Sequence, residues 1–146
     1  KDARDVPAGQ TRDYIFGYTI LNDVSARDVQ TAHKQWYFGK SLDGFTPIGP
    51  CIVTADAFAD YPPRLGIRSF VNGEKRQDSN TALQIFDIDH VIAELSQGMT
   101  LKAGTIIATG TPAGVGMGMD PPQFLKPGDV VRCEIEGIGT LTNPVK

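Results

Sequence analysis

The chain has 146 residues, 40% of them hydrophobic, which suits one ordinary domain with a core of its own. Its 14 basic and 17 acidic residues leave a net charge of -3, with no basic block or aromatic-interleaved Lys/Arg stripe, so nucleic acid and anionic membrane surfaces are not expected as partners. No apolar run approaches the ~20 residues of a membrane span and no signal-peptide core opens the chain, so the expectation is a soluble, cytoplasmic protein.

Residues 1–13 are polar and carry Pro7 and Gly9, which reads as a loop. Tyr14 to Leu21 is aromatic, β-branched and almost unbroken in hydrophobicity, the pattern of a strand buried on both faces. It ends at Asn22-Asp23, and Ser25 with Asp28 three residues on can cap a short helix carrying Arg27 and Gln30. Gly and Pro punctuate the chain from Phe38 to Pro50, after which Cys51 to Thr54 reads as a strand.

Ile67 to Val71 and Glu74 to Gln77 flank Asn72-Gly73, a pair that takes the positive φ angles of a type I′ hairpin turn. Ile88, Val91, Ile92 and Leu95 recur at helical spacing between Asp87, a candidate N-cap, and Gly98, a candidate stop. Gly104 to Thr109 is a further strand candidate, leading directly into Gly110-Thr-Pro-Ala-Gly-Val-Gly-Met-Gly118. Lys126-Pro-Gly-Asp129 predicts a turn, Val130 to Ile135 a strand, and Gly137 to Gly139 a turn into the last strand. The sum is a mainly β domain with one or two helices, without the strand-helix alternation of a doubly wound fold.

Several side chains are suited to chemistry, each with a plainer reading beside it. Asp23 either ends its strand as a turn residue or ion-pairs with Arg27, or it binds a hard divalent cation while Arg27 receives a carboxylate. Lys40 reads as a surface lysine passing Trp36, Tyr37 and Phe38, or as a cation that stabilises an enolate. Thr111, in the Thr-Gly-Thr corner, could offer its hydroxyl to an acid. The glycine spacing Gly114, Gly116, Gly118 lacks the Gly-Lys-Ser/Thr and the βαβ context of a nucleotide loop.

His90 reads as a helix-surface residue and His33 falls in a polar connection, with no sign of a general base at either. Cys51 and Cys133 stand in no metal or redox spacing and read as two buried small hydrophobes. Arg64, Arg68 and Arg132 read as solvent-facing, though each could meet a second carboxylate.

In order and spacing, four motifs resemble the fumarylacetoacetate hydrolase family. They are Asn22-Asp-Val-Ser-Ala-Arg-Asp28, then Gly39-Lys-Ser41 with Pro47-Ile-Gly-Pro50, then Val71-Asn-Gly-Glu74 with Ser79-Asn-Thr81, then Thr109-Gly-Thr-Pro-Ala-Gly-Val-Gly116. The match runs from Tyr14 to Val145. The resemblance implies an α+β, predominantly β fold, a mixed β-roll or sandwich, with residues 1–146 as a single, N-terminally truncated catalytic domain. It also implies a homodimer and a divalent cation, magnesium or else Mn or Ca.

The implied reactions act on small 2-oxo or diketo acids: C–C hydrolysis or decarboxylation through a metal-stabilised enolate, or isomerisation of 2-hydroxyhepta-2,4-diene-1,7-dioate and hydroxymuconate. By this resemblance Asp23 is a metal ligand, Arg27, Gln30, Lys40 and Thr111 surround the oxo-acid, and Lys40 serves catalysis at the enolate. The family's Glu-x-Glu ligand pair and the lid with its His/Glu base are not among these residues, and Glu134-Ile-Glu136 follows the family's ordinary C-terminal pattern. A fragment of a longer enzyme is therefore expected, binding magnesium weakly by itself. A catalytically silent scaffold or oligomerisation module is the competing expectation.

Overall fold

The computed structural model describes residues 1–32 and 34–146; His33 lies outside the described residues. Strand β1 (Gly17–Leu21) is followed by helix α1 (Arg27–Ala32), β2 (Ile48–Thr54), β3 (Gly66–Val71), β4 (Glu74–Asn80), helix α2 (Ile88–Gly98), β5 (Val130–Ile135) and β6 (Gly139–Pro144). β1 and β2 form one antiparallel pair, and the other four strands form an antiparallel sheet in the order β4-β3-β5-β6. β2 packs against β6 and β1 against β5, so the two sheets meet over one core. The mainly β, α+β architecture expected from the sequence is the one observed.

Local chemistry explains the elements that match. Asn72 and Gly73 take φ of 52° and 84°, and Val71 pairs with Glu74 across this two-residue turn. Asp87 Oδ1 accepts a hydrogen bond from His90 N at 2.8 Å, capping α2, whose buried face carries Ile92, Ala93 and Ser96. The Lys126-Asp129 turn closes twice, through Asp129 N to Lys126 O at 3.0 Å and Lys126 N to Asp129 Oδ2 at 2.8 Å.

Other expectations are corrected. Gly104 to Thr109 is not a strand: among the described residues no backbone ladder reaches it, and Ile106 is 60% exposed. Its apolar composition suits an extended, half-covered segment, but composition does not supply a neighbour to pair with. β1 is not buried on both faces either, since among its residues only Ile20 is fully buried. In a two-stranded pair one face is left for solvent or for another surface. Cys51 is exposed, whereas Cys133 is half-buried with its thiol pushed up by desolvation; both are free thiols.

The opening loop is tied down more firmly than its polarity suggests. Ala3 and Leu101 form an isolated antiparallel bridge, Asp5 N donates to Ser96 O, and Val6 N donates to the buried Ser96 hydroxyl. Ala3 and Val6 join Ile20, Ile92, Ala93, Val131 and Ile138 as the buried apolar core.

Candidate functional site

β1 delivers the chain to Asn22, whose N-H donates to Pro47 O at 3.0 Å, and Asp23 follows directly. The start of α1 is held by Gln30 N donating to Ala26 O at 2.9 Å. Ala26 N in turn donates to Gly39 O at 2.8 Å, which draws the 3-10 turn Phe38–Lys40 onto the helix. This approach requires glycine: a Cβ at position 39 would lie 2.8 Å from Gln30 N and Cβ and 2.9 Å from Ala26 O. The close packing of turn on helix aims Lys40 at Asp23.

Lys40 Nζ stands 2.5 Å from Asp23 Oδ2 and 3.0 Å from Ser25 Oγ. Ser25 Oγ also donates to Asp23 O at 3.1 Å. The Ser25 hydroxyl is thereby committed to Lys40 and Asp23 and does not cap α1, as its position in the sequence suggested. Asp23 pairs with Lys40 rather than with Arg27. Arg27 instead donates from Nη1 to Gln30 Oε1 at 2.9 Å, and Gln30 is buried. Gln30 thus orients the guanidinium, leaving most of its five N-H donors for an anion.

Thr111 is exposed, and no hydrogen bond joins it to Asp23, Arg27, Gln30 or Lys40. It is held from β4, where Gln77 Nε2 donates to Thr111 Oγ1 at 2.8 Å and to Pro112 O at 2.7 Å. The structure therefore gathers Asp23, Ser25 and Lys40 into one cluster, joins Arg27 to Gln30 beside it, and fixes Thr111 separately. The sequence marks Ser25 only as a helix cap and does not single out Gln77. Ser25 stood within a recognised motif, while nothing local distinguishes Gln77 from any polar strand residue.

Of the remaining polar candidates Arg64 is exposed, and the following have structural partners. Glu134 pairs with Arg132, and Glu136 Oε2 accepts from Gly66 N at 3.2 Å. Arg132 also lies over the Phe70 ring, and Arg68 pairs with Asp78. His90 is exposed and stacks on Phe86 with ring centroids 4.8 Å apart. Among the described residues no group of three or more His, Cys, Asp or Glu converges to hold a metal ion. Magnesium takes a near-octahedral oxygen shell, so Asp23, with one oxygen already on Lys40, fits as a single ligand and not as a site.

The whole chain, residues 1–146, matches the fumarylacetoacetate (FAA) hydrolase C-terminal family. It is 51% identical over 133 residues to the oxaloacetate tautomerase YisK of Bacillus subtilis, covering 91% of this chain and 44% of the relative. The solved fumarylacetoacetate hydrolase EaFAH of Exiguobacterium antarcticum superposes with a TM-score of 0.96 at 52% identity, covering 100% of this chain and 52% of that one. A 2-hydroxyhepta-2,4-diene-1,7-dioate isomerase from Mycobacterium marinum gives a TM-score of 0.86 at 47% identity, over 99% of this chain and 53% of that one. The chain spans about half the length of the relatives it matches. It belongs to the fumarylacetoacetate hydrolase family, to whose C-terminal domain it corresponds.

Proposed function

We propose that this chain carries the acid-binding and enolate-stabilising part of an enzyme site for small 2-oxo acids, with keto–enol tautomerisation as its reaction. The observation that carries the reading is the state of Lys40. An ammonium has three N-H donors, and two are fixed on Asp23 and Ser25. The third is left for a substrate oxygen, already oriented before that oxygen becomes an enolate. Such preorganisation stabilises the developing charge without reorganisation during the reaction.

Arg27, steadied by Gln30, offers a planar fork to the substrate carboxylate, and Thr111 adds a hydroxyl to the same end. Tautomerisation then needs only a C3–H bond broken by a base and a proton delivered to the carbonyl oxygen, with the electron pair moving from carbon to oxygen. Lys40 Nζ stands as the donor on the oxygen side. The names of the Bacillus and Mycobacterium relatives, a tautomerase and an isomerase, support a proton-transfer reaction.

C–C hydrolysis or decarboxylation is the second reading, because cleavage next to the carbonyl passes through the same enolate, and the Exiguobacterium structure is named a fumarylacetoacetate hydrolase. A divalent cation would add Lewis-acid stabilisation of that enolate, with Asp23 as one ligand among others supplied outside this cluster. A homodimer is part of the same proposal, supported by apolar side chains left uncovered, among them Phe16 at 75% exposure and Ile52 at 57%.

The test follows the enol absorbance of oxaloacetate, and separately pyruvate release from oxaloacetate and an acylpyruvate, in the intact protein with and without magnesium. Enol loss faster than pyruvate release supports tautomerisation. Pyruvate release at the same rate transfers the assignment to cleavage, and no turnover of either substrate favours a silent scaffold.

A further inference from the structure

Thr111 sits in a segment with no regular structure, and residues 106–114 take part in no backbone–backbone hydrogen bond among the described residues. Something outside the segment must place it. Two adjacent residues of β4 do so. Gln77 holds Thr111 and Pro112, and Gly114 lies so close on Arg76 that a Cβ there would overlap the Arg76 carbonyl. The Arg76 side chain extends the clamp, donating from Nη1 to Gln123 Oε1 and meeting Met119 Sδ at 2.9 Å.

The orientation of the Gln77 carboxamide is fixed by its partners. Pro112 O is a carbonyl and can only accept, so the amide nitrogen faces the loop. The amide oxygen then faces back to β3, where Ser69 Oγ donates to it at 2.7 Å, and Ser69 and Gln77 are direct partners in the ladder. With Nε2 as donor, Thr111 Oγ1 acts as acceptor towards Gln77, and its own proton is left to be donated elsewhere.

We propose that Gln77 is a positioning residue that sets the polarity of Thr111, keeping its hydroxyl as a donor towards the acid end of the substrate. This rests on the assignment of Thr111 to the oxo-acid's carboxylate. A hydroxyl whose proton were drawn to a neighbour would present lone pairs to that carboxylate and repel it. Gln77, not Thr111 alone, therefore governs how well the acid binds.

Steady-state kinetics on oxaloacetate with the intact protein tests this, using Thr111→Val, Gln77→Leu, the near-isosteric Gln77→Glu, and both Gln77 changes combined with Thr111→Val. Thr111→Val should raise KM ~10-fold, the range for a hydrogen bond to a charged group. Gln77→Leu should raise KM several-fold at little cost in kcat. Gln77→Glu should raise it further, because its carboxylate accepts the Thr111 proton. In the Thr111→Val background neither Gln77 change should add to KM, the signature of two residues acting as one.

If Thr111→Val raises KM while Gln77→Leu and Gln77→Glu leave it unchanged, or if the effects simply add, the positioning role is refuted and the acid-binding assignment survives. If Thr111→Val itself leaves KM unchanged, that assignment falls, and the proposal with it. Unfolding midpoints of all variants separate a kinetic effect from a loss of fold, and Gln77→Glu, which preserves shape, keeps the test decisive if Gln77→Leu fails to fold.

Discussion

Lys40 and Asp23, seventeen positions apart in sequence, form a salt bridge of 2.5 Å in which the lysine side chain is 26% and the aspartate 38% exposed. At that exposure the pair contributes little to stability, so its significance is geometric. It fixes the direction of the remaining Lys40 N-H, with Ser25 as the second anchor. Substituting Lys40→Met removes that donor, and kcat for enol turnover is expected to fall ~100-fold or more, the usual consequence of losing an oxyanion donor. Wild-type kcat in this variant would sink the enolate role.

The turn that carries Lys40 depends on Gly39. Gly39→Ala puts a methyl against Gln30 and the Ala26 carbonyl, all of it backbone or Cβ and none able to swing away. A loss of about 1–3 kcal/mol is expected in denaturant unfolding, together with reduced activity as Lys40 leaves Asp23. Gly98→Ala is the counterpart. It closes α2 with nothing within 4 Å of a new Cβ and no positive φ, and should gain up to about 1 kcal/mol without touching activity.

Alkaline stability should report on Tyr18. Burial opposes its ionisation, Tyr61 adds to the effect, and Arg12 offsets it only partly, so the phenol is pushed from 10.0 up to about 12. Its ring meets Phe58 edge-on at 5.6 Å between centroids. The folded state therefore keeps the proton that the unfolded state releases. The stabilisation is present below pH 10 and is lost as pH rises towards about 12. Tyr18→Phe should flatten this decline in the unfolding midpoint, leaving a residual slope from Tyr61, which burial also pushes up. An unchanged decline in Tyr18→Phe would assign it to other groups.

What was legible in the sequence was local. The Asn72-Gly73 turn and the Asp87 cap are decided by residues within a few positions, and both form as expected. The Asp23–Lys40 contact is tertiary and depends on the bare backbone of Gly39 lying on α1, which no local pattern contains. Ser25 shows the same limit: its position suggests a cap, yet Lys40 brings it a different partner. Gly104 to Thr109 misled because β-branched composition records how a segment is covered, not whether a strand lies beside it. Family resemblance supplied Asp23, Lys40 and Thr111 as a set, but not Gln77, which is recognised only from the hydrogen bonds that hold Thr111.

Cation binding follows from how the carboxylates are distributed. Among the described residues Asp23 belongs to no group of three or more His, Cys, Asp or Glu that could hold a metal ion, and Lys40 holds one of its oxygens. A single carboxylate leaves magnesium mostly hydrated, and the lysine charge opposes it further. Calorimetric titration of this 146-residue chain with magnesium should therefore give a dissociation constant weaker than about 1 mM, and Asp23→Ala should remove the remaining heat. Lys40→Met, which frees the second oxygen, should tighten binding modestly while leaving it weak. Micromolar binding by the unsubstituted chain would mean that a complete oxygen shell forms from its own residues. Micromolar binding that survives Asp23→Ala would place that shell elsewhere in the fold.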